Sequence, residues 1–487
     1  MNSNHRCTMG EVPTPSNPSA TCKIPRLGLC ALLLAGFITM FDLFVVNVAI
    51  PSIQTGLGAS FAQIGFILTG YQLSFGALLI TGGRLGDLFG RRRLFIMGMA
   101  GFTFISALCG LAPDTESLIG ARVFQGATAA LLFPQIYASI RVNNEGDSRR
   151  RIFGLLGMTL GLAAIAGQVL GGWLVHADVF GLSWRSIFLI NIPIGIVAIL
   201  AARYIPESIS PQRSQLDWSG VALISIGLAL LLIPLMEGAE QGWPAWSQWS
   251  LGGAVAVLLW FYRQQERQRH SGREPLVDMQ LMAQKRFALG ALLVLLIYST
   301  SSSFFLCFAL LVQTGLGLDA FAAGSIFAPC SAGFVLASLV APRLMARWGI
   351  YAIVTGALIY ALAIAMLIMQ VWMVDIALKP AMLIPVLIVV GAGQGAIMTP
   401  LLNLVLGFVD ADKSGMASGV ISTVQQIGAA LGVAIVGILF NATLSGTAAT
   451  SQIAQYSSAF VAGMLYNLGA AVLACVLLFF LAKVNEE

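Results

Sequence analysis

Long apolar stretches separated by short polar segments make up almost the whole chain. The stretches are continuous, without the strict alternation of apolar and polar positions that marks a membrane β-strand. A helix needs about 20 mainly apolar residues to cross the core of a bilayer. The pattern therefore predicts an all-α membrane protein with 14 transmembrane helices, at about 27–50, 62–82, 94–112, 117–140, 152–175, 185–204, 217–237, 248–263, 287–313, 320–341, 350–372, 382–407, 416–440 and 459–482.

The segment before the first apolar stretch is polar and rich in Pro, Ser and Thr. Such a composition cannot bury enough apolar surface to fold, so we expect residues 1–26 to form a disordered tail. The first apolar stretch is too long for a signal peptide and lacks a clear cleavage site. It is therefore interpreted as the first transmembrane helix.

The composition of the chain excludes several classes of function. Hydrophobic residues make up 58% of the 487 residues and charged residues 10%, a balance that a soluble protein could not shield from water. The net charge is +5, but the basic residues are spread over many loops, which argues against a nucleic-acid partner. The seven cysteines show no metal-site spacing. No nucleophile constellation or nucleotide-binding loop is present either, so we expect no enzyme activity, metal or cofactor.

The basic residues lie almost entirely on one side of the predicted helices. All but three of the 26 Lys and Arg residues fall there, whereas Arg185 and Lys379 lie on the other side and Arg122 lies within a span. Cytoplasmic loops carry such an excess. We therefore expect a protein of the bacterial inner (plasma) membrane, with both termini cytoplasmic and the 236–247 loop outside.

Two parts of the chain repeat one another weakly. Gly83–Gly90, after the second span, resembles Pro342–Gly349, after the tenth. Gln125 in the fourth span matches Gln394 in the twelfth. Internal repeats that flank a central site are typical of secondary transporters. The repeat predicts two six-helix bundles and an inserted helix pair: a cytoplasmic tail at 1–26, an N-terminal bundle at 27–204, a linker with two extra helices at 205–286 and a C-terminal bundle at 287–487.

The loop between the second and third spans carries a high density of glycine and charge. It reads Gly-Arg-Leu-Gly-Asp-Leu-Phe-Gly-Arg-Arg-Arg from residue 83 to residue 93. Glycine permits a tight turn and close helix approach, and the acid can pair with an arginine or cap a neighbouring helix. We expect a charged latch that holds the two bundles together on one side, formed by Gly83, Asp87, Gly90, Arg91 and Arg92. The alternative is that the arginines serve only as a topology signal.

This loop resembles the signature loop of the major facilitator superfamily at every defined position. Leu118–Gly126 looks like the fourth-helix motif of that family. Phe41–Pro51 resembles the first-helix signature of its fourteen-helix drug:proton antiporters, and Trp184–Gly195 resembles their sixth helix. The resemblance covers nearly the whole chain. It implies two six-helix bundles around a central cavity, with alternating access.

The fifth helix departs from the pattern of that family. The antiporter motif usually reads Gly-Pro-x-x-Gly-Gly, whereas this chain has Gln168 in place of the proline. The glycines still allow tight packing against the other bundle, so Gly167, Gly171 and Gly172 are predicted interface residues. The missing proline weakens the inference of antiport and leaves that of transport intact.

Two charged residues are predicted deep inside spans. Asp42 lies about two-thirds of the way along the first span, and Arg122 lies in the fourth. Ionisable groups within a membrane are expensive and functional by default, so we expect this pair to couple proton movement to transport. The alternatives are a structural hydrogen bond for Asp42, and a structural ion pair or snorkelling for Arg122. No deep charge is evident in the second half, where Gln425 and Gln426 stand in place of a basic residue found in similar proteins.

Aromatic and amide residues of three spans could line a substrate cavity. The candidates are Tyr71, Gln72, Gln125, Phe133, Tyr137 and Tyr298. Ordinary helix packing explains any one of them equally well. Glu237 and Asp375 sit near the outer ends of spans, where interfacial solvation is the simpler interpretation.

These features together predict a monomeric, proton-coupled exporter of small lipophilic or cationic compounds such as drugs, dyes and antiseptics. Its partners would be those compounds, protons and the lipid bilayer. Three alternatives stay open: a dedicated metabolite exporter, an antibiotic self-resistance exporter, and an uncoupled facilitator or importer. Asp42 favours coupling over the uncoupled forms.

Overall fold

The computed structural model describes residues 24–144, 146–209, 217–273, 275–374, 379–409, 414–446 and 451–484. Every regular element in these ranges is helical. Some predictions fall outside them: most of the tail at 1–26, the basic residues Arg6, Lys23, Arg213 and Lys413, and Asp375.

The helices follow the order that the apolar stretches predict. Those of the first half are α1 (Arg26–Leu57), α2 (Phe61–Phe89), α3 (Arg91–Gly110), α4 (Thr115–Asn143), α5 (Gly146–His176), α6 (Ser186–Leu189) and α7 (Asn191–Ala202). The predicted inserted pair is α8 (Trp218–Glu240) and α9 (Ala245–His270). Those of the second half are α10 (Met279–Ala283), α11 (Lys285–Ala309), α12 (Ala320–Trp348), α13 (Tyr351–Val374), α14 (Pro380–Leu406), α15 (Ser414–Gly446) and α16 (Gln452–Val484). A π-helical turn, Leu310–Gly315, continues α11.

Short polar signals set several helix ends. Ser60 caps the start of α2, Asp114 that of α4 and Asp319 that of α12, each by accepting a hydrogen bond from a backbone N–H. These oxygens satisfy donors that a helix leaves unpaired in its first turn. Gly58 ends α1 in the left-handed conformation, with φ 64°, where a side chain would be strained. The turns that precede α2, α4 and α12 are therefore short.

Thirteen of the described helical segments are long and apolar enough to cross a membrane. The helix α9 forms where the eighth span is predicted, but Trp, Ser and Gln fill its first turns and Arg and Gln its last two. By length and composition, 13 helices of the described ranges are therefore able to cross a membrane, one fewer than the 14 predicted, and α9 is the one that falls short. The α9 helix still runs antiparallel along the whole of α8. Ser250 Oγ donates to the Leu230 carbonyl at 2.9 Å, and Gln265 Nε2 donates to Asp217 at 2.6 Å at the far end.

The two halves pack their helices in the same pairwise arrangement. In the first half, α1 packs against α5 and α7, α2 against α4, and α3 against α4 and α7. In the second half, α11 packs against α15 and α16, α12 against α14, and α13 against α14 and α16. A Cβ atom at Gly126 would clash with the Tyr71 carbonyl, and one at Gly395 with the Phe334 carbonyl. The glycines that the repeat matches thus allow equivalent close contacts, while the boundaries at 204 and 286 stay predictions.

The two halves meet along two seams, formed by α2 with α15 and by α5 with α12. The α2–α15 seam is closed along its length. The rings of Phe61 and Phe440 stack at one end, with centroids 5.8 Å apart. At the other end, a Cβ atom at Gly419 would lie 2.8 Å from the side chain of Ile80.

The α5–α12 seam is closed at one end only. The Gln168 carbonyl packs on Gly324, and His176 Nδ1 lies 3.3 Å from Asp319 Oδ2. Further along the same face of α5, Gly157 has open space where a Cβ would stand. A Cβ at Gly161 would still lie 3.2 Å from Val335 of α12, so the described contacts of this seam run from His176 to Gly161 and are absent at Gly157, toward the end where the basic loops lie.

Candidate functional site

Asp42 and Arg122 meet in the interior of the first half. Arg122 Nη1 donates to Asp42 Oδ2 at 2.5 Å, and Arg122 Nε donates to the Ile67 carbonyl at 3.2 Å. Asp42 is 0% exposed and Arg122 is 1% exposed. The structure thus brings the two predicted proton-coupling residues together as a fully buried ion pair between α1 and α4.

Three further polar residues surround the carboxylate. Gln125 Nε2 and Asn191 Nδ2 each donate to Asp42 Oδ1 at 3.0 Å. Ser106 Oγ accepts from the same two amides, at 2.8 and 3.3 Å. Gln125 Oε1 accepts from Arg122 Nη1 at 2.6 Å. We name these five residues of α1, α3, α4 and α7 the charged network.

Aromatic rings cover the arginine of the charged network. The guanidinium carbon of Arg122 lies 4.4 Å from the ring centroid of Tyr71 and 5.7 Å from that of Phe188. Such cation–π contacts favour the cation over a ring face. The desolvation penalty of a buried ion pair offsets much of its Coulomb attraction, but removing one partner costs about 3–5 kcal/mol because a charge is left uncompensated. The pair is therefore sensitive to any change in charge.

Sequence reasoning identifies only part of this network. It selects Asp42, Arg122 and Gln125 and misses Ser106 and Asn191. Asn191 does stand in the segment that resembles the sixth helix of the family, so a polar residue within an apolar helix was an available signal. Ser106 carried no signal, because serine is common in membrane helices. Within the described ranges, no three His, Cys, Asp or Glu residues are grouped so as to hold a metal ion.

The second half contains a polar network without charge at the corresponding place. Ser303 Oγ donates to Asn467 Oδ1 at 2.6 Å, and Asn467 Nδ2 donates to the Thr300 carbonyl at 3.2 Å. Gln394 Nε2 donates to the Tyr360 hydroxyl at 3.3 Å, which also bonds with Thr300. All five residues are buried. They lie on α11, α13, α14 and α16, and we name them the neutral network.

Three of the predicted substrate-contacting residues lie away from open space in this conformation. Tyr71 is 1% exposed and covers the guanidinium, while Gln125 is 0% exposed within the charged network. Gln72 is 7% exposed on the face of α2 that meets α15, one turn from Gly76, which packs on Gln426. The prediction treats aromatic and amide residues as cavity-facing, but here helix–helix contacts enclose these three.

The other three candidates, Phe133, Tyr137 and Tyr298, are at least partly exposed. Tyr137 is 39% exposed, and its ring centroid lies 5.4 Å from that of Phe133 and 6.1 Å from that of Phe153. The Tyr298 hydroxyl bonds with the Gln425 side chain, and Tyr298 lies near Tyr137. An aromatic wall of the first half therefore faces a tyrosine–glutamine pair of the second half. Phe153 and the role of Gln425 were not predicted.

Asp87 and Arg91 pair within the predicted latch. Arg91 Nη2 and Nε donate to Asp87 Oδ1 at 2.6 and 3.1 Å. Gly90 joins α2 to α3 with φ 101°, a conformation that L side chains rarely adopt. A Cβ there would also lie 2.8 Å from Glu207 Oε1. Gly83, in contrast, has room for a side chain, since the nearest atom to its Cβ position lies at 3.7 Å.

Residues that follow α7 complete the latch. The Arg92 N–H donates to Glu207 Oε1 at 3.0 Å, and Arg92 Nε lies 3.6 Å from Glu207 Oε2. The Arg91 N–H donates to the Ser208 carbonyl at 3.1 Å. The described contacts of Asp87, Arg91 and Arg92 therefore join the α2–α3 loop to the segment that follows α7, at the start of the predicted linker, and not to the second half as predicted. The reason is Glu207, an acid that no motif indicated.

The predicted interface glycines of α5 face two different helices. Gly167 and Gly171 pack around Val45 of α1, within the first half. Only Gly172 meets the second half, where a Cβ atom would clash with the Ala320 carbonyl. Successive residues of a helix are turned by about 100°, so adjacent glycines cannot share a face. The prediction that all three pack against the other bundle is correct for Gly172 alone.

Comparison with known proteins agrees with this architecture. The family model of the Major Facilitator Superfamily matches residues 32–433. The "probable actinorhodin transporter" of Streptomyces coelicolor is 36% identical over 87% of this chain and 74% of its own length. The cephamycin export protein CmcT of Amycolatopsis lactamdurans is 34% identical over 91% of this chain and 90% of its own length.

The fold is also found among solved structures. A bacterial homologue of the human lysosomal transporter Spinster, in an inward-facing and unoccupied conformation, superimposes with a TM-score of 0.66. It covers 93% of this chain and 96% of its own, at 16% sequence identity, so the likeness is one of fold. The chain is a multi-pass membrane protein and belongs to the Major Facilitator Superfamily.

Proposed function

We propose that the protein exports antibiotics or other small lipophilic compounds in exchange for protons. The observation that carries this proposal is the buried ion pair of Asp42 and Arg122. The neutral network holds the equivalent helices of the second half without any charge, so packing alone does not require an ion pair at this place. An ionised group inside a membrane is costly, and ionised groups that packing does not require commonly serve in ion movement. The relatives support export as the direction, since one is named an export protein.

Proton binding to Asp42 would weaken the hydrogen bonds that join α1 to the other helices of the charged network. The carboxylate accepts three N–H groups, from α4 and α7, and such bonds are about twice as strong to an anion as to a neutral acceptor. The same helix α1 carries Val48, whose carbonyl accepts from Gln313 Nε2 of the second half at 2.9 Å. Movement of α1 on neutralisation would therefore reach a contact that closes the halves at the end opposite to the basic loops.

The driving force sets a limit to the expected export. One proton that moves through about 150 mV gains roughly 3.5 kcal/mol. At about 1.4 kcal/mol per decade, this supports a substrate gradient of about 300-fold. A gradient of that size is large enough to confer resistance to a compound that enters passively.

We place the protein in a bacterial inner membrane with both termini in the cytoplasm. This topology requires α9 to cross the membrane in addition to the 13 apolar helices. The packing of α9 along the whole of α8 supports the crossing. Because α8 is apolar enough to span the membrane, a helix that lies along its full length would span the membrane as well. Reporter fusions test it: a cytoplasmic C-terminus and an external 236–247 loop are expected. A C-terminus on the opposite side from the 203–209 segment would overturn the count.

A dedicated exporter of one self-made antibiotic is the second candidate. The names of two relatives, one for actinorhodin and one for cephamycin, favour it. The same fold and the same charged network would serve both functions. An uncoupled facilitator or importer is supported less, because it gives no reason for a buried carboxylate.

The test is drug susceptibility of an efflux-deficient bacterial host that expresses the protein. Resistance to several unrelated lipophilic compounds, lost on addition of a protonophore, is the expected result. Resistance to a single compound would favour the dedicated exporter. Resistance that survives the protonophore would argue against proton coupling, and greater sensitivity than the empty host would indicate import.

A further inference from the structure

The charged network is asymmetric in its hydrogen-bonding groups. Every polar contact that the structure gives the Asp42 carboxylate comes from a donor: Arg122 Nη1, Gln125 Nε2 and Asn191 Nδ2. Donors suit an ionised carboxylate. A protonated carboxyl has one O–H donor of its own, and a buried donor without an acceptor costs about 1–3 kcal/mol. A proton on Asp42 therefore needs an acceptor that the present arrangement does not offer.

The two amides that contact Asp42 differ in their freedom to supply that acceptor. Gln125 Oε1 is occupied by Arg122 Nη1 at 2.6 Å and by Cys109 Sγ at 3.5 Å. Reversing this amide would turn its N–H groups toward a guanidinium, where donor would meet donor. Asn191 Oδ1 is fully buried and has no hydrogen-bond partner. Arg122 thus fixes the orientation of the Gln125 amide. No hydrogen bond to Asn191 Oδ1 fixes the orientation of the Asn191 amide in the same way.

We propose that the side-chain amide of Asn191 reverses when Asp42 takes up a proton. In the ionised state, Asn191 Nδ2 donates to Asp42 Oδ1 and to Ser106 Oγ. A proton from solution bonds to Asp42 Oδ1, and Asn191 turns by about 180° about its terminal torsion. Asn191 Oδ1 then accepts from the new Asp42 O–H and from the Ser106 hydroxyl. The inference rests on the proposed proton coupling and makes Asn191 the positioning residue that distinguishes the two protonation states.

The reversal keeps the number of hydrogen bonds that the Asn191 amide makes. The amide bonds with two neighbours in either orientation, through Nδ2 before the reversal and through Oδ1 after it. The reversal gives the Asp42 O–H an acceptor, and it leaves the two N–H groups of Nδ2 in the unpartnered place that Oδ1 has in the ionised state. The charged and titratable groups that face Asp42 are Arg122 from α4, Tyr71 from α2 and Cys109 from α3. Arg122 keeps its bonds to Gln125 and to the Ile67 carbonyl in both states. One proton is taken up, one O–H bond forms, and no other group needs to change its charge.

Infrared difference spectroscopy of the reconstituted full-length protein tests this step. Protein grown with asparagine labelled at its side-chain carbonyl with ¹³C is compared between acid and alkaline buffer. The wild type should show a protonated carboxyl band together with an isotope-shifted asparagine band. Asn191→Gln keeps an amide but carries no label, so the asparagine band should be lost. In Asn191→Leu, the carboxyl band should move to higher frequency, because the O–H has lost its acceptor.

The second half supplies the matched control. Asn467→Leu removes the equivalent asparagine of the neutral network, which has no carboxylate, and should leave both bands unchanged. Absence of the asparagine band from the wild-type spectrum overturns the inference, as does its persistence in Asn191→Gln. Asp42→Asn separates this failure from that of the proposed function. If the carboxyl band survives in Asp42→Asn, the titrating group lies elsewhere and the proton-coupling role of Asp42 fails; if the carboxyl band is lost there but the wild type lacks the asparagine band, only the reversal fails.

Discussion

The charged network and the neutral network lie on equivalent helices of the two halves, α1, α3, α4 and α7 in one and α11, α13, α14 and α16 in the other. In both, an asparagine of the last helix reaches the first helix. Asn191 donates to Asp42 at 3.0 Å, and Asn467 accepts from Ser303 at 2.6 Å. Hydroxyl and amide groups alone are therefore sufficient to join four membrane helices. The charges of the first half are an addition to that pattern.

The difference begins with a single position of the fourth helix in each half. Arg122 stands three residues before Gln125, and Gly391 stands three residues before Gln394. A Cβ atom at Gly391 would clash with the Cys330 carbonyl, so the close contact of α14 with α12 leaves no room there for an arginine. Without a cation, a carboxylate in α11 would be buried unpaired, and Thr300 and Ser303 stand in its place.

The loops that follow the second helix of each half also differ in charge: the loop of the first half contains an acid, and the loop of the second half does not at that position. Asp87 pairs with Arg91 in the first half. The equivalent loop has Ala346 followed by Arg347. The loop of the second half therefore has no acid at the position of Asp87. The first half therefore carries the buried ion pair, while the network at the equivalent place of the second half is neutral.

The largest effect is expected from Asp42→Asn. The amide mimics a permanently protonated carboxyl, so vesicles that contain this variant should still exchange substrate downhill. They should lose accumulation driven by a pH difference, up to the gradient of about 300-fold that one proton supports. The measurement is substrate uptake by inverted vesicles under an imposed pH difference.

Glu237→Gln is the matched control for that experiment. It removes one acidic charge near the outer end of α8, away from the charged network, and should leave accumulation unchanged. Accumulation against the gradient by Asp42→Asn vesicles would locate the coupling site elsewhere. It would also remove the functional distinction between the two networks.

The next effect is on stability. Arg122→Gln leaves Asp42 buried without a counter-charge and should lower the free energy of unfolding by about 3–5 kcal/mol. The double variant Asp42→Asn/Arg122→Gln converts the charged network into a neutral one and should recover most of that loss. Thermal unfolding of the purified protein in detergent measures both. Gln394→Leu, which removes one neutral hydrogen bond, should cost about 1 kcal/mol.

A double variant no more stable than Arg122→Gln would show that the arginine is needed for packing and not as a partner of the carboxylate. The difference in stability between the two networks would then come from the shape of their side chains and not from their charge.

A smaller effect is expected at the latch. The Asp87–Arg91 pair is partly exposed, with side chains 34% and 13% accessible, so it contributes at most about 1 kcal/mol. Asp87→Asn or Arg91→Ala should therefore slow transport about fivefold while the protein still folds and inserts. Initial rates, normalised to the amount of inserted protein, measure the change. Arg347→Ala in the loop of the second half should leave the rate unaltered, and wild-type rates from Asp87→Asn would indicate a topology signal only.

The smallest effect concerns the charge of the substrate. The one carboxylate described deep in the helices, Asp42, is held by Arg122, and the neutral network offers none. We expect monovalent cations and neutral compounds to be exported a few-fold better than divalent cations of similar size, because a second charge would lack a counter-charge. Resistance ratios for paired mono- and bis-cationic antiseptics measure this preference. Selective resistance to the bis-cations would contradict it and direct attention to Glu237 or Asp375.

The sequence by itself determined the helical class, the order of the helices and the two charged residues of the interior. Stretches of about 20 apolar residues have few alternatives to membrane helices, because a bilayer leaves no partner for unpaired backbone groups. Asp42 and Arg122 stood out for the same reason, since a charge within such a stretch is costly. The repeat located Gln125 and Gln394 at equivalent points, where the structure places one network each.

Only the tertiary structure decided which side chains meet. Asn191 reaches Asp42 from 149 residues away in the chain, and Glu207 reaches the Arg92 N–H from 115 residues away. Helical periodicity shows which residues share a face of one helix, but it does not show which helix that face will meet. For that reason Gly171 could not be assigned to α1 or Gly172 to α12, and the buried Gln72 could not be separated from an exposed residue such as Tyr137. The packing of helices from distant parts of the chain settles those choices.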